Sequence, residues 1–227
     1  VVGGGPSGLT AAFYLRLRGH DVTIFEEMPE LGGALRYGIP PYRLPREALL
    51  QDVGRVVRLG VEVKTGMRVG RDITIEELQS NFDAVLMAIG AFKPRRMGVE
   101  GEDLAGVYHA TSFLRELNLD FNVEKWAEMG KRVAVVGAGN VAMDCVRVLA
   151  RLGKEATLIY RRSFEEMPAI KEEVHQSEEE GVKYLCLRNP NRFIDDGAGR
   201  VGAMELQVMA LGEPDASGRR RPIPVEG

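Results

Sequence analysis

The chain has 227 residues, of which 44% are hydrophobic and 28% are charged, a composition typical of a soluble globular protein with one large or two small domains. Its formal net charge of −3 gives no general attraction to nucleic acid or anionic lipid, so any binding of phosphate groups has to be local. The sequence contains no run of about 18 apolar residues and no basic leader followed by an apolar stretch, so it predicts neither a membrane nor a nucleic-acid partner.

The first element is a very short strand, Val1-Val2, which leads directly into a glycine turn at residues 3–8. A strand in this position usually has about five residues, so we expect the chain to be a fragment that lacks the rest of it. A predicted helix at 9–18 and a strand at 22–26 follow the turn. This order defines a Rossmann unit, in which unpaired N–H groups at the helix start bind a diphosphate. The candidate residues of this first turn are Gly3, Gly5, Pro6, Ser7 and Gly8.

Glu26 lies at the end of the second strand of this unit, 23 residues after Gly3. A carboxylate at this position accepts hydrogen bonds from the ribose hydroxyls of an adenosine and repels a 2′-phosphate. The first unit is therefore predicted to bind a dinucleotide that carries no 2′-phosphate.

Residues 31–45 contain too many glycines and prolines for regular structure, so we expect a shaped loop. Gly32 and Gly33 would let the backbone approach a planar ring closely while the prolines fix its path, which favours a loop that lines the isoalloxazine of a flavin. The alternative is a long surface loop.

Two further strands are predicted at 61–63 and 83–91, and the second of them contains a glycine, Gly90, near its end. Beside the first turn, Gly90 would let the backbone contact the adenosine half of the flavin dinucleotide. The alternative is a simple strand exit. The helix-like stretch at 110–117 and Trp126 are candidates for a connector between two units, with ordinary packing as the alternative.

The same order of elements returns later in the chain, with a strand at 132–136, a glycine turn at 137–142, a helix at 143–152 and a strand at 156–162. Glycine turns also occur for packing alone, but the context of both copies favours two Rossmann units with parallel sheets. The candidate residues of this second turn are Gly137, Ala138, Gly139, Asn140 and Val141.

Tyr160 lies 23 residues after Gly137, where the first unit has its acid, and Arg161 and Arg162 follow it. Two guanidinium groups at this strand end suit a 2′-phosphate, which they can bind through paired, charge-assisted hydrogen bonds. The second unit is therefore predicted to prefer NADP(H) to NAD(H), unless these arginines form only a solvated strand end.

The remaining chemistry-bearing residues do not suggest a site. Cys145 and Cys186 lack both disulfide-framework and metal-ligand spacing, and the three histidines are scattered, so we expect no metal, no iron–sulfur site on this chain and a reducing, cytoplasmic setting. Cys145 is expected to be a core thiol. The acidic run at 178–180 is expected to be a solvated helix face, and the basic run at 219–221 a surface turn.

With these residues in view, the chain resembles the family of the glutamate synthase small subunit, the reductase half of dihydropyrimidine dehydrogenase and the NADPH subunit of electron-bifurcating transhydrogenases. The resemblance covers the whole chain. It is carried by the flavin loop at 32–45 and by the segment at 160–168, which ends in Met167-Pro168.

The resemblance implies a fold like that of the pyridine nucleotide-disulfide reductases, with FAD and NADP(H) as cofactors. Hydride would pass from NADPH to the flavin, and electrons would continue to [4Fe-4S] clusters that lie only in missing regions or in a partner. No catalytic side chain is then needed. The partners would be an iron–sulfur domain or subunit and a larger redox subunit. The implied FAD contacts are Gly5 to Gly8, Glu26, Gly32, Gly33, Arg43 and Val69, and the implied NADPH contacts are Ala138, Gly139, Asn140, Val141, Arg161 and Arg162.

We therefore predict an α/β chain of two Rossmann-type dinucleotide-binding domains, FAD at 1–105 and NADPH at 106–227, both incomplete because the closing segments of the family pattern are absent. The alternative is an electron-relay module of a multi-subunit redox complex in which one nucleotide site is not catalytic. Intact glycine turns and strand ends in both units favour the first hypothesis.

Overall fold

The structure is a computed structural model that describes residues 1–120, 126, 129–214, 216 and 218–226. The chain separates into two compact units, Val1–Lys93 and Pro94–Gly227. Residues near 100 and 105 belong to the second unit because Glu100 and Ala105 form β-bridges with Arg192 and Arg200. The division of the cofactors at 105/106 stays a prediction.

The first unit has a parallel core of strands with helices around it. Strand β1 pairs in parallel with β2. Val2 bridges Phe25 on one side and Met87 on the other, so it lies between two neighbours. The elements are α1 Pro6–Leu17, β1 Thr23–Phe25, α2 Ala34–Tyr37, α3 Arg46–Val57, β2 Glu62–Lys64 and α4 Ile75–Asn81.

Strand β1 is buried at every position and lies in the core of this unit. Ile24 of β1 and Ala12 of α1 are fully buried, and Leu9, Val22, Leu31 and Val61 pack with them. The strand expected at 83–91 is present only as an isolated bridge of Met87 with Val2. A capping box of Thr74 and Glu77 starts α4.

The second unit contains a parallel sheet of order β3-β4-β5 and an antiparallel sheet of order β6-β7-β8. Val136 at the end of β3 pairs with Ile159 of β4, and Tyr160 pairs with Cys186 at the end of β5. The elements are α5 Ala110–Asp120, β3 Arg132–Val136, α6 Asn140–Arg151, β4 Glu155–Tyr160, a 3-10 helix Phe164–Glu166, α7 Lys171–Glu179, β5 Lys183–Cys186, β6 Arg188–Asp195, β7 Val201–Pro214 and β8 Arg220–Pro224.

Helix α6 carries the core of this unit, since Met143, Val146 and Leu149 are buried on it. The predicted helix at 110–117 is present as α5, and Trp126 packs edge-on against Phe113 with ring centroids 4.8 Å apart. This is ordinary packing within the second unit. In the described part of the chain, no helix is both long and apolar enough to cross a membrane.

The acidic run at 178–180 was expected to be a solvated helix face, and this was wrong for Glu180, which follows the end of α7 and is half-buried. Arg147 of α6 is buried, and its guanidinium forms ion pairs with Glu173 and Glu180 of the neighbouring helix region. Burial raises the pKa of the Glu180 carboxyl, but hydrogen bonds from Arg147 and Arg151 outweigh burial and leave that pKa below its ordinary value. Glu180 therefore ties α7 to α6.

Candidate nucleotide sites

The first glycine turn is closed tightly onto the sheet. Gly3 has a φ of 106°, and a Cβ atom on Gly8 would overlap the carbonyl oxygen of Gly3. Only glycine fits at both places, because the first needs left-handed backbone and the second lets α1 pack against the strand. Helix α1 begins with Pro6 after the cap residue Gly5, and Pro6 and Ser7 are exposed at the helix start.

Glu26 is buried and fixes this turn from the neighbouring strand end. Its Oε2 accepts a hydrogen bond of 2.6 Å from the Gly4 N–H, and its Oε1 accepts one of 2.8 Å from the Met28 N–H. Each carboxylate oxygen has two acceptor positions, so one remains on each for a ribose hydroxyl. The contact with Gly4 was not predicted, because a sequence places a residue at a strand end but not the turn that it faces.

The flavin loop begins directly on the first turn. The Gly32 N–H donates a 2.8 Å hydrogen bond to the Gly4 oxygen, and a Cβ on Gly33 would lie 2.6 Å from the Gly5 Cα. Gly32 and Gly33 have φ values of 123° and 51°. The predicted need for two glycines therefore has a structural reason, the close approach of two backbones.

The expectation that residues 31–45 contain no regular structure was wrong for four of them, which form the short helix α2. Its last residue, Tyr37, is buried, and its hydroxyl donates a 3.1 Å hydrogen bond to the Glu30 oxygen. Arg36 forms an ion pair with Glu30, and its Nη1 is buried without a hydrogen-bond partner among the described residues. This unsatisfied donor fits a site for an anionic or carbonyl-bearing ligand.

The remaining candidates of the first unit are Val69, Gly90 and Arg43. The segment before Val69 reaches the strand end through a 2.9 Å hydrogen bond from the Met67 N–H to the Glu26 oxygen. Gly90 has a φ of 69° and follows Ile89, whose Cα would be 3.3 Å from a Cβ on Gly3. Arg43 lies in the turn after α2, where its N–H donates to the Pro40 oxygen at 3.0 Å. The structure thus brings Glu26, Gly32 and Gly33 to the first turn, and the roles of Arg43, Val69 and Gly90 stay predictions.

The second turn is more open than the first. Gly137 has a φ of 115°, Gly139 caps α6 and a Cβ on Gly139 would meet nothing within 4 Å. Ala142 takes the place of the packing glycine of the first turn. A side chain at position 139 would occupy the open space at the start of α6. With glycine there, this space fits a diphosphate.

A segment after β4 docks on this turn. The Ile170 N–H donates a 3.1 Å hydrogen bond to Asn140 Oδ1, and the Ala169 N–H donates one of 3.2 Å to the Ala138 oxygen. Because its oxygen is engaged, the Asn140 amide directs its NH2 group away from Ile170. The sequence marked the turn and the segment at 160–168 that precedes Ala169, but it gave no signal that the two regions touch. Val141, at the helix start, is 45% exposed.

At the end of β4 the acid of the first unit is replaced by Tyr160, which is buried and donates a 3.0 Å hydrogen bond to the Glu166 backbone oxygen. Arg161 is exposed and Arg162 is half-buried. The Arg162 Nε is buried and has no hydrogen-bond partner in the described part of the chain. An unsatisfied cationic donor fits a phosphate group.

Leu187 at the end of β5 was missed by sequence reasoning. Its φ of 53° is left-handed, a conformation that costs a residue with a side chain about 1 kcal/mol or more. Its N–H donates a 3.0 Å hydrogen bond to the Arg162 oxygen, and its own oxygen accepts one of 3.0 Å from the Met209 N–H. This strained residue holds the arginine segment against the antiparallel sheet.

Other parts of the second unit do not join this site. Cys145 is buried, which raises the pKa of its thiol, and burial also raises the pKa of Cys186. A cavity of about 770 Å³ runs along β3, but none of the predicted nucleotide contacts lines it. Among the described residues there is no group of three or more His, Cys, Asp or Glu side chains placed to hold a metal.

Comparison with known proteins finds relatives that match the whole chain. The chain is 49% identical to the NADP(+)-dependent formate dehydrogenase subunit beta of Moorella thermoacetica, and the match covers 100% of this chain and 32% of the relative. It is 39% identical to the glutamate synthase [NADPH] small chain of Escherichia coli, covering 100% of this chain and 50% of the relative. The chain thus spans about a third to a half of these relatives.

The fold is also found in a solved structure, that of Mycobacterium tuberculosis FprA in complex with NADPH, with a TM-score of 0.82 and 20% identity over 100% of this chain and 66% of FprA. The predicted α/β dinucleotide-binding fold, the oxidoreductase class and the glutamate synthase small subunit resemblance are confirmed. The family model for pyridine nucleotide-disulphide oxidoreductase matches residues 1–215, and the chain belongs to that family.

Proposed function

We propose that this chain is the nucleotide-binding part of a FAD-dependent NADPH oxidoreductase, with FAD in the first unit and NADPH in the second. The observation that carries the proposal is the different residue at two equivalent strand ends. Glu26 presents a carboxylate beside the first turn, whereas Arg161 and Arg162 follow a buried Tyr160 beside the second. One end suits free ribose hydroxyls and the other a 2′-phosphate.

On the FAD side, the exposed start of α1 would bind the diphosphate through backbone N–H groups and the positive end of the helix dipole. Glu26 would accept the ribose hydroxyls with the lone pairs that Gly4 and Met28 leave open. The buried Nη1 of Arg36, in the flavin loop, would gain an acceptor.

On the NADPH side, the start of α6 would bind the second diphosphate over the open space at Gly139. The Asn140 amide, held by Ile170, would donate from its NH2 group. Arg161 and Arg162 would bind the 2′-phosphate, and the unsatisfied Arg162 Nε supports this role.

The cofactors supply the redox chemistry, since a bound flavin accepts a hydride from NADPH and can pass electrons on one at a time. The residues of this chain bind and orient the two dinucleotides, which is catalysis by positioning. No side chain acts as a nucleophile or general base in this proposal.

The electron acceptor lies outside these residues in this proposal. Two relatives are named as a subunit beta and a small chain, which supports a larger partner subunit. The iron–sulfur clusters of that partner are proposed from the family resemblance alone. The location would be cytoplasmic, because the two cysteines are free and the family chemistry uses cellular NADPH.

The test is an anaerobic titration of the full-length, flavin-containing protein with NADPH and, separately, with NADH. The loss of flavin absorbance reports reduction of the flavin. We expect NADPH to bleach the flavin at a concentration at least about tenfold lower than NADH, the effect of one charge-assisted hydrogen bond. Equal responses to the two nucleotides would refute the assignment of the second unit.

A further inference from the structure

The loop after β4 brings negative charge next to the arginines assigned to the 2′-phosphate. Glu165 and Glu166 follow Arg161 and Arg162 closely in the sequence. A carboxylate within reach of a phosphate-binding arginine competes for its donors and repels the ligand. The position of these acids therefore bears on nucleotide selectivity.

Glu166 is held at both its backbone and its side chain. Its backbone oxygen accepts the hydrogen bond from the Tyr160 hydroxyl. Its Oε1 accepts a 2.9 Å hydrogen bond from the Arg220 Nε and a 3.3 Å bond from the Arg220 backbone N–H. The Glu166 side chain is only 13% exposed, so this ion pair between the loop and strand β8 is largely enclosed on its acidic side.

The other oxygen of Glu166 and the neighbouring arginine are both unsatisfied. Glu166 Oε2 and Arg162 Nε are buried, and neither has a hydrogen-bond partner among the described residues. Burial raises the pKa of Glu166, but the bonds from Arg220 and the charges of Arg220 and Arg162 outweigh burial, so the net pKa is lowered and the group is ionised at neutral pH. If the bond to Arg220 were lost, a direct pair between the Glu166 carboxylate and the Arg162 guanidinium would satisfy both atoms.

We propose that Arg220 is a positioning residue for NADPH selectivity, because it holds the Glu166 carboxylate on the β8 side and leaves Arg162 free for the 2′-phosphate. The inference rests on the proposed function of the second unit. In the first unit the acid Glu26 occupies the strand end itself. In the second unit Tyr160 occupies that place, and the Glu166 carboxylate is bound by Arg220.

The basic run at 219–221 is then more than the surface turn expected from the sequence, since Arg220 begins strand β8. Arg221, in the same run, is exposed and provides a matched control for the removal of one positive charge.

The experiment measures binding of 2′,5′-ADP and 5′-AMP to the full-length flavoprotein by calorimetry. These probes differ only in the 2′-phosphate. We expect Arg220→Gln to weaken binding of 2′,5′-ADP by about tenfold, the effect of one lost charge-assisted hydrogen bond, with 5′-AMP and Arg221→Gln unaffected. Adding Glu166→Gln to Arg220→Gln should restore the affinity, because the competing carboxylate is gone.

Each outcome decides. Unchanged affinity in Arg220→Gln would overturn the inference, because Arg220 would then have no effect on the 2′-phosphate. Persistent weak binding in the double variant would show that Arg220 is a direct phosphate ligand. Equal weakening for both probes would show that its role is structural. If Arg220→Gln fails to fold, the affinity of the single variant Glu166→Gln for 2′,5′-ADP is measured instead. Weaker binding by this variant would contradict the proposal. A wild-type protein that does not distinguish the two probes would instead refute the proposed function.

Discussion

The two glycine turns follow one pattern, yet the chain surrounds them differently. The first is covered by the start of the flavin loop, where Gly33 meets Gly5, and it is tied to the strand end by Glu26. The second has open space above Gly139, and its contacts come from the loop at 169–170. The same backbone motif thus has different surroundings in the two units. Glu26 is fixed at the first strand end, whereas Arg220 binds the acid Glu166 in the second unit.

The packing residue of each turn gives the largest contrast. We expect Gly8→Ala to destabilise the protein by about 3 kcal/mol or more, because the new methyl group would overlap the Gly3 backbone. The second turn already has Ala142 at the matching place. Ala142→Gly should cost only about 1 kcal/mol, the difference in helix propensity.

Urea unfolding and the flavin content of the purified full-length protein would measure both variants. Gly8→Ala is also expected to lose flavin. Equal stability losses in the two variants would mean that the first helix is not packed more tightly than the second.

The strand-end arginines give the next effect. We expect Arg161→Ala combined with Arg162→Ala to weaken NADPH binding by about 3 kcal/mol, roughly a hundredfold, since each lost hydrogen bond to a charged group is worth about 1.5 kcal/mol or more. NADH binding should stay unchanged because it lacks the 2′-phosphate. Flavin reduction under anaerobic conditions measures both.

Arg192→Ala serves as the control in this experiment, since Arg192 pairs with Glu205 on the antiparallel sheet and is half exposed. The arginine hypothesis fails if the preference for NADPH survives the double substitution.

The sequence predicted the repeated fold well because its signals are local. The glycine spacing and the apolar pattern predicted β3 at 132–136, where the structure has it. Glu26 directly follows β1, and Arg161 and Arg162 directly follow β4, as the spacing predicted. Contacts between distant segments were not predictable, such as Ile170 with Asn140 or Arg220 with Glu166. Each depends on the path of a loop, and many loop paths suit one sequence pattern.

Leu187 and α2 show the same limit from the side of backbone conformation. A leucine gives no sign that it will adopt a left-handed φ, because its conformation is imposed by bonds to Arg162 and Met209. Four residues of a loop rich in glycine and proline form a helix because burial of Tyr37 holds them there.

The smallest expected effect concerns the acid that makes the two strand ends differ. Glu26→Gln keeps the shape of the side chain and one carbonyl acceptor, so the bond from Gly4 can survive while the acceptor for Met28 and a ribose hydroxyl is lost. We expect FAD affinity to fall by about 1 kcal/mol, near fivefold, with NADPH affinity unchanged. Flavin release measured by fluorescence tests this. A loss of both cofactors together would show that the carboxylate supports the fold, and its place at the first strand end would no longer account for the choice of dinucleotide.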